Sequence, residues 1–182
     1  MINEKKALIP EKATFARPAV LLDRDGVLNV DVGYVYRPED LKLTRTAAKA
    51  VRLLNDAGYV ALVVTNQSGV ARGMFSCAEV EQFHEAMQSA LAAAGAKIDG
   101  FYYCPYHPEG RVARFACDHP DRKPRPGMLL KAIDEWSLDR SRTVLIGDKQ
   151  SDMDAAAAAG VQGILVPCNV PDLAAVVEAA LA

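Results

Sequence analysis

Five short apolar runs punctuate the chain: Ala19–Leu22, Val60–Thr65, Gly100–Cys104, Thr143–Gly147 and Gly163–Pro167. They lack the polar alternation of a half-exposed strand, so each reads as a strand buried on both faces, the habit of parallel sheets. Between them lie stretches of helical composition, Thr46–Ala57, Ser76–Ala94, Gly127–Trp136 and Ser151–Ala159, and a last one covers Pro171–Leu181. Gly58, Gly95 and Gly160 stand where helices should stop, a role glycine fills because no Cβ opposes the left-handed turn. Pro171 suits the first turn of the last helix. Strand–helix alternation of this kind predicts an α/β, doubly wound, mainly parallel sheet flanked by helices.

At 182 residues the chain has single-domain size. Residues 1–17 read as an N-terminal arm and 18–182 as one domain, without repeats or linkers. The stretches from Asn29 to Thr46 and from Gly95 to Pro126 leave room for loops but no separate cap domain. A net charge of −2 lacks the basic footprint of a nucleic-acid partner. No run reaches the ~20 apolar residues of a membrane helix. The start, Met1-Ile-Asn-Glu-Lys-Lys, lacks the apolar core of a secretory signal. The four cysteines are therefore expected as thiols in a reducing cytoplasm. Nothing in the pattern demands more than a monomer.

The chemistry gathers where the apolar runs end. The first delivers two carboxylates one residue apart, Asp23-Arg-Asp25-Gly26, and desolvated charges want partners or a metal. A calcium loop would need further oxygen ligands where Val27, Leu28 and Val30 stand. The second run opens into Thr65-Asn66-Gln67-Ser68-Gly69, whose hydroxyls, amides and main-chain N–H groups suit phosphate oxygens, or a simple cap and turn. Arg122-Lys123-Pro124 precedes the helix at Gly127 and offers a cation for a phosphoryl group, or a solvated basic turn. The fourth run ends in Gly147-Asp148-Lys149-Gln150-Ser151-Asp152, so Asp148 can reach the same cation as the first pair. Asp152 either tethers Lys149 or Lys123 or caps the alanine-rich helix. In a doubly wound sheet, ligands bind outside the carboxyl ends of the strands, and all these residues fall on that one edge.

A separate cluster, Cys104-Pro-Tyr-His107 and Cys117-Asp-His119, brackets a polar loop. Two Cys and two His match the ligand inventory of a structural zinc site over 104–119; the alternative is two unrelated thiols and two surface histidines.

Taken in order, Asp23-x-Asp25-Gly, Thr65-Asn66, Lys123 and Gly147-Asp148-x-x-x-Asp152 resemble the haloacid dehalogenase superfamily of aspartyl-phosphate phosphatases, from about Ala19 to Val166. Asp23–Asn29, Asp31-Val-Gly-Tyr34, Thr65–Gly73, Cys104–Pro108 and Arg122–Gly127 narrow the likeness to its heptose-bisphosphate branch, with histidinol-phosphate phosphatases beside it. The resemblance implies Asp23 as nucleophile, Asp25 as general acid and base, and Thr65 and Lys123 on the phosphoryl oxygens. It implies Mg²⁺ held by Asp23, the Asp25 main-chain carbonyl and Asp148. A small phosphorylated sugar would be held by Asp31, Gly33, Tyr34, Thr65, Asn66, Gln67, Ser68, Arg122, Lys123 and Lys149. Such an enzyme would serve lipopolysaccharide core precursor synthesis. Relatives of this branch usually bind zinc through Cys-x-His and Cys-x-Cys; here Tyr106 takes the first His position, His119 the last Cys position, and Pro120-Asp121 are additional. A receiver-like phosphoacceptor domain is the competing reading, and Asp25, a second carboxylate two residues on, argues against it.

Overall fold

β1 (Arg17–Leu22) lies in the middle of a sheet because it has no polar face to give to water: Ala19, Val20, Leu21 and Leu22 are all buried. In the computed structural model, which describes residues 16–182, four further strands join it, β2 (Val60–Asn66), β3 (Gly100–Cys104), β4 (Leu138–Gly147) and β5 (Gln162–Leu165). The order is β3-β2-β1-β4-β5 and every pairing is parallel. The register sets Leu22 between Val63 and Ile146, and pairs Asn66 with Cys104 and Gly147 with Leu165. The carboxyl ends are thereby brought to one edge.

Alternate strand residues feed opposite layers. Val20, Leu22, Ala61 and Val63 pack with α1 (Ala47–Asp56), α2 (Cys77–Ala93) and α5 (Leu173–Leu181). Ala19, Leu21, Leu62, Val64 and Leu145 pack with α3 (Gly127–Trp136) and α4 (Gln150–Ala159). This is the doubly wound α/β arrangement expected from the alternation. The connections from β1 to α1 and from β3 to α3 hold only the short 3₁₀ turns Pro38–Asp40 and Ala113–Phe115, so no cap domain is inserted.

The departures have local causes. β1 already includes Arg17, whose N–H donates to the Ser137 carbonyl at 3.0 Å; residues 1–15 of the expected arm lie outside the described residues. β4 starts at Leu138 rather than Thr143, because an exposed polar stretch, hidden from a hydrophobicity pattern, pairs through an irregularity in the register opposite Arg17–Ala19. β3 and β5 are edge strands, so neither is buried throughout as its composition suggested, and β5 is mostly exposed. α5 begins after Asp172, whose carboxylate accepts from Ala175 N (3.2 Å) and Thr46 Oγ1 (3.0 Å). Pro171 therefore lies outside the helix rather than in its first turn.

Leu21 points from the central strand into the α3–α4 layer and is fully buried. Leu21→Ala is expected to lower stability by about 2–5 kcal/mol in urea unfolding; a change below about 1 kcal/mol would show that this layer collapses around the missing side chain.

Candidate active site

The turn after β1 is wound tightly: Gly26 N donates to the Asn29 carbonyl (2.8 Å), and Leu28 N and Asn29 N both donate to Arg24 O (2.9 and 3.0 Å). Gly26 sits at φ +82°, and a Cβ there would lie 2.6 Å from Asp148 Oδ2. That position accepts only glycine, because the Asp148 carboxylate from the end of β4 needs the space.

The two carboxylates of this turn meet different partners. Asp25 is caged: Arg24 donates from Nε and Nη2 to Oδ1 (3.1 and 2.9 Å) and from Nη2 to Oδ2 (2.8 Å). Asn29 Nδ2 adds a bond to Oδ1 (3.0 Å) and Gln67 Nε2 one to Oδ2 (2.9 Å). Asp23 instead receives the ammonium of Lys123, Nζ to Oδ1 at 3.0 Å. The same Nζ lies 2.6 Å from Asp152 Oδ1 and donates to the Val64 carbonyl at 2.8 Å. Lys123 is only 2% exposed, and its main chain is pinned by Asn66, which accepts from Lys123 N (3.1 Å) and donates to Lys123 O (2.9 Å). Asp152 Oδ2 accepts from Lys149 N at 3.0 Å, so one carboxylate both tethers Lys123 and caps α4.

Burial pushes the Asp23 carboxyl up to about 6, against the opposing pull of Lys123 and with help from Asp152 and Asp25. For Lys123, burial acts to lower the pKa, but Asp23 and Asp152 outweigh it and the net shift is upward. One oxygen of Asp23, Asp148 and Asp152 each lies within 4.8 Å of the others. Three carboxylates against one ammonium leave an excess of two negative charges, and Asp148 Oδ1 is buried with no hydrogen-bond partner. That donor set fits a hard divalent cation such as Mg²⁺. Asp23 and Asp148 are brought together as the sequence suggested; the Asp25 carboxylate is committed to its cage, so only its main-chain carbonyl remains as a candidate ligand.

Around this centre, Thr65 is buried and its hydroxyl accepts from Gln67 Nε2 at 3.0 Å. Asn66 and Gln67, expected on the substrate, are turned inward to Lys123 and Asp25, so they position the machinery. Ser68 lies in the following turn and its carbonyl accepts from Arg72 N at 3.0 Å. Asp31, Gly33 and Tyr34 form a rim, with Gly33 N donating to Asp31 Oδ1 (2.8 Å) and Lys149 Nζ 3.7 Å from Asp31 Oδ2. Arg122 is half-buried and donates to the Tyr106 carbonyl (3.4 Å); burial, with Arg72 nearby, lowers its pKa. Arg24 and Asn29 escaped the sequence reading although both lie inside the first motif. An arginine between two aspartates at the mouth of an apolar run was the available signal.

The four expected zinc ligands do not converge. Among the described residues, the only groups of three or more possible ligands are Asp23/Asp148/Asp152 and Asp31/Asp148/Cys168. His119 lies flat on Tyr106, centroids 4.0 Å apart, and its Nδ1 accepts from Asp121 N at 3.1 Å. His107 Nδ1 accepts from Glu109 N (3.1 Å), and its Nε2 faces Arg72 Nη2 (3.3 Å). Cys104 is buried, whereas Cys117 is exposed. The zinc expectation is therefore withdrawn, because stacking and local turns occupy the histidine rings.

The family model described as HAD-hydrolase-like matches residues 121–180. The chain is 50% identical over 160 residues to the D-glycero-D-manno-heptose-1,7-bisphosphate 7-phosphatase of Thermosynechococcus vestitus, covering 86% of this chain and 82% of that protein. It is 47% identical over 146 residues to the D-glycero-beta-D-manno-heptose-1,7-bisphosphate 7-phosphatase of Escherichia coli K12, covering 79% and 75%. Among solved structures, the D,D-heptose 1,7-bisphosphate phosphatase of B. bronchiseptica, complexed with magnesium and phosphate, superposes with a TM-score of 0.80 at 32% identity, covering 90% of this chain and 98% of that one.

Gly26→Ala forces an L-residue into positive φ and against Asp148. It is expected to cost about 1–3 kcal/mol in urea unfolding, whereas an unchanged midpoint would mean that Asp148 moves away freely. Purified protein is expected to carry far less than one zinc per chain by elemental analysis, and a zinc-selective chelator should leave its thermal midpoint unmoved. One zinc per chain, with a chelator-sensitive midpoint, would contradict the loop geometry.

Proposed function

The chain belongs to the heptose-bisphosphate phosphatase family of HAD-like hydrolases, and we propose that it removes the C7 phosphate of D-glycero-D-manno-heptose 1,7-bisphosphate through an aspartyl-phosphate intermediate. The observation that carries this reading is the buried Lys123 ammonium held between Asp23 and Asp152, with Asp148 beside them. A carboxylate kept next to a buried cation is a nucleophile with an anion site at its shoulder.

In this reading Asp23 attacks phosphorus, its carboxylate oxygen forming the new P–O bond as the bond to the sugar oxygen breaks. Asp25 gives its proton to the departing sugar oxygen. It then takes a proton from the water that attacks the phosphorus of the aspartyl-phosphate, releasing inorganic phosphate and restoring Asp23. The Arg24, Asn29 and Gln67 cage fixes where the Asp25 carboxylate stands, and in this reading one of its bonds gives way when Asp25 carries the proton. Lys123 and the Thr65 hydroxyl neutralise and orient the transferring oxygens. Mg²⁺, held by Asp23, Asp148 and the Asp25 carbonyl, would supply the positive charge that lets a carboxylate approach a phosphate. The rim of Asp31, Gly33 and Tyr34, with Arg122 and Lys149, is assigned to the sugar and its second phosphate.

No described helix is long and apolar enough to cross a membrane, and all four cysteines are free; both support a cytoplasmic place, in the supply of heptose precursors for lipopolysaccharide.

Phosphate release from heptose 1,7-bisphosphate with Mg²⁺ tests the proposal. Native protein should turn over, chelation by EDTA should abolish activity, and Mg²⁺ should restore it. Asp23→Asn should lose about 10³-fold or more in kcat while keeping a native far-UV spectrum. Near-native turnover by that variant would place the nucleophile elsewhere.

A further inference from the structure

The rim that faces the phosphate centre is anchored from behind by a residue that no motif contains. Asn169, in the turn after β5, accepts from Asp31 N through Oδ1 at 2.6 Å and donates from Nδ2 to Asp31 O at 3.2 Å. One side-chain amide thus imitates a strand partner and fixes both main-chain groups of Asp31. Asn169 itself adopts φ +59°, a conformation that asparagine tolerates better than most residues.

The turn that carries Asn169 is tied directly to the catalytic strands. Val166 N donates to the Gly147 carbonyl (2.9 Å) and Val170 N to the Gly26 carbonyl (3.2 Å). Cys168 Sγ packs where a Cβ on Gly26 would stand, at 3.0 Å. The segment therefore takes its position from the turn between Asp25 and Asp148 and passes it to Asp31. From Asp31 the rim continues through Gly33 at φ +88° and Tyr34 at φ +51°. Gly33 N donates to Asp31 Oδ1 at 2.8 Å, so an Asx turn carries the position of Asp31 on toward Tyr34. Tyr34 is 45% exposed and lies within electrostatic reach of Arg122.

We propose that Asn169 is a positioning residue for substrate selection, setting the Asp31–Tyr34 rim at a fixed distance from the reacting carboxylate. This rests on the phosphatase reading above. The rim touches the part of the substrate remote from the transferred phosphate, so the clamp acts on substrate affinity and leaves the chemical step to Asp23 and Asp25.

Asn169→Gly removes the amide while keeping a residue at home in positive φ, which spares the turn. For heptose 1,7-bisphosphate the variant is expected to raise KM roughly tenfold with kcat within about twofold of native. Amide exchange read by NMR should show the Asp31 N–H exchanging at least about tenfold faster than in the native chain. An unchanged KM, or kcat falling in step with a lowered thermal midpoint, would overturn the inference. If the native chain fails to hydrolyse heptose 1,7-bisphosphate, the functional reading falls, and the exchange arm still judges the clamp: unaltered protection of Asp31 would refute it.

Discussion

A buried ammonium governs this molecule. Lys123 stands in a loop after β3, yet its side chain lies beneath the strand ends between Asp23 of β1's exit and Asp152 of α4. A lone cation there would be driven to shed its proton or reach for water; two carboxylates and the Val64 carbonyl keep it charged. Removing Lys123 would leave two buried carboxylates without their counter-charge, which is far more costly than losing a surface pair. The triad therefore binds the sheet edge, the helix layer and the 105–126 connection into one arrangement. With Asp148 added the excess of negative charge grows from one to two, which a divalent cation would cancel.

The second ion pair, Arg24 with Asp25, solves a different problem. Its guanidinium is 1% exposed, lies 4.5 Å from the centroid of Phe83, and donates to the Val35 carbonyl at 2.8 Å. Burial, together with the Arg24 charge, holds the imidazole of His84 well below its usual pKa. The His84 ring stacks on Phe101 at 4.6 Å, in the layer where the Arg24 guanidinium faces Asp25. Two positions apart, Asp23 thus meets a buried lysine and Asp25 an arginine rooted in the helix layer. In the proposed mechanism, that division of partners is what would let two acids one residue apart take different chemical roles.

Most of the fold was legible because it follows from burial. The central strands β1, β2 and β4 end in uninterrupted apolar runs, and the helix-stopping glycines fall where helices stop. Composition could not separate an edge strand from a central one, since Gly163-Ile-Leu reads alike in either place; only the pairing order exposes β5. The carboxylates at strand ends were legible for the same physical reason, charge emerging from an apolar run. The partners that aim them were harder to read. Gln67 and Asn66 looked like phosphate donors because an amide at a strand end can do either task, and only coordinates show them turned inward. Asn169 carries no pattern at all: its significance lies in a contact across 138 positions of sequence.

The 104–119 loop is held by ring stacking, a small apolar cluster and main-chain bonds. A Cys/His zinc site would order a polar loop by coordination. In this chain the position expected for a ligating histidine is Tyr106, and its ring stacks on His119 and meets Phe115 edge-on at 5.5 Å. Arg111 N and Val112 N both donate to the Ala71 carbonyl (2.7 and 2.9 Å), and Arg125 pairs with Asp118. Phe115 is buried with Val70, Ala71 and Phe75 in a small cluster of its own. An aromatic stack fixes ring planes and a hydrophobic cluster fixes position, so together they can hold a roof over the phosphate centre. The arrangement also ties the roof to the 65–73 turn through Ala71. That turn supplies Thr65 and Gln67, so the loop's packing and the alignment of Asp25 share one support.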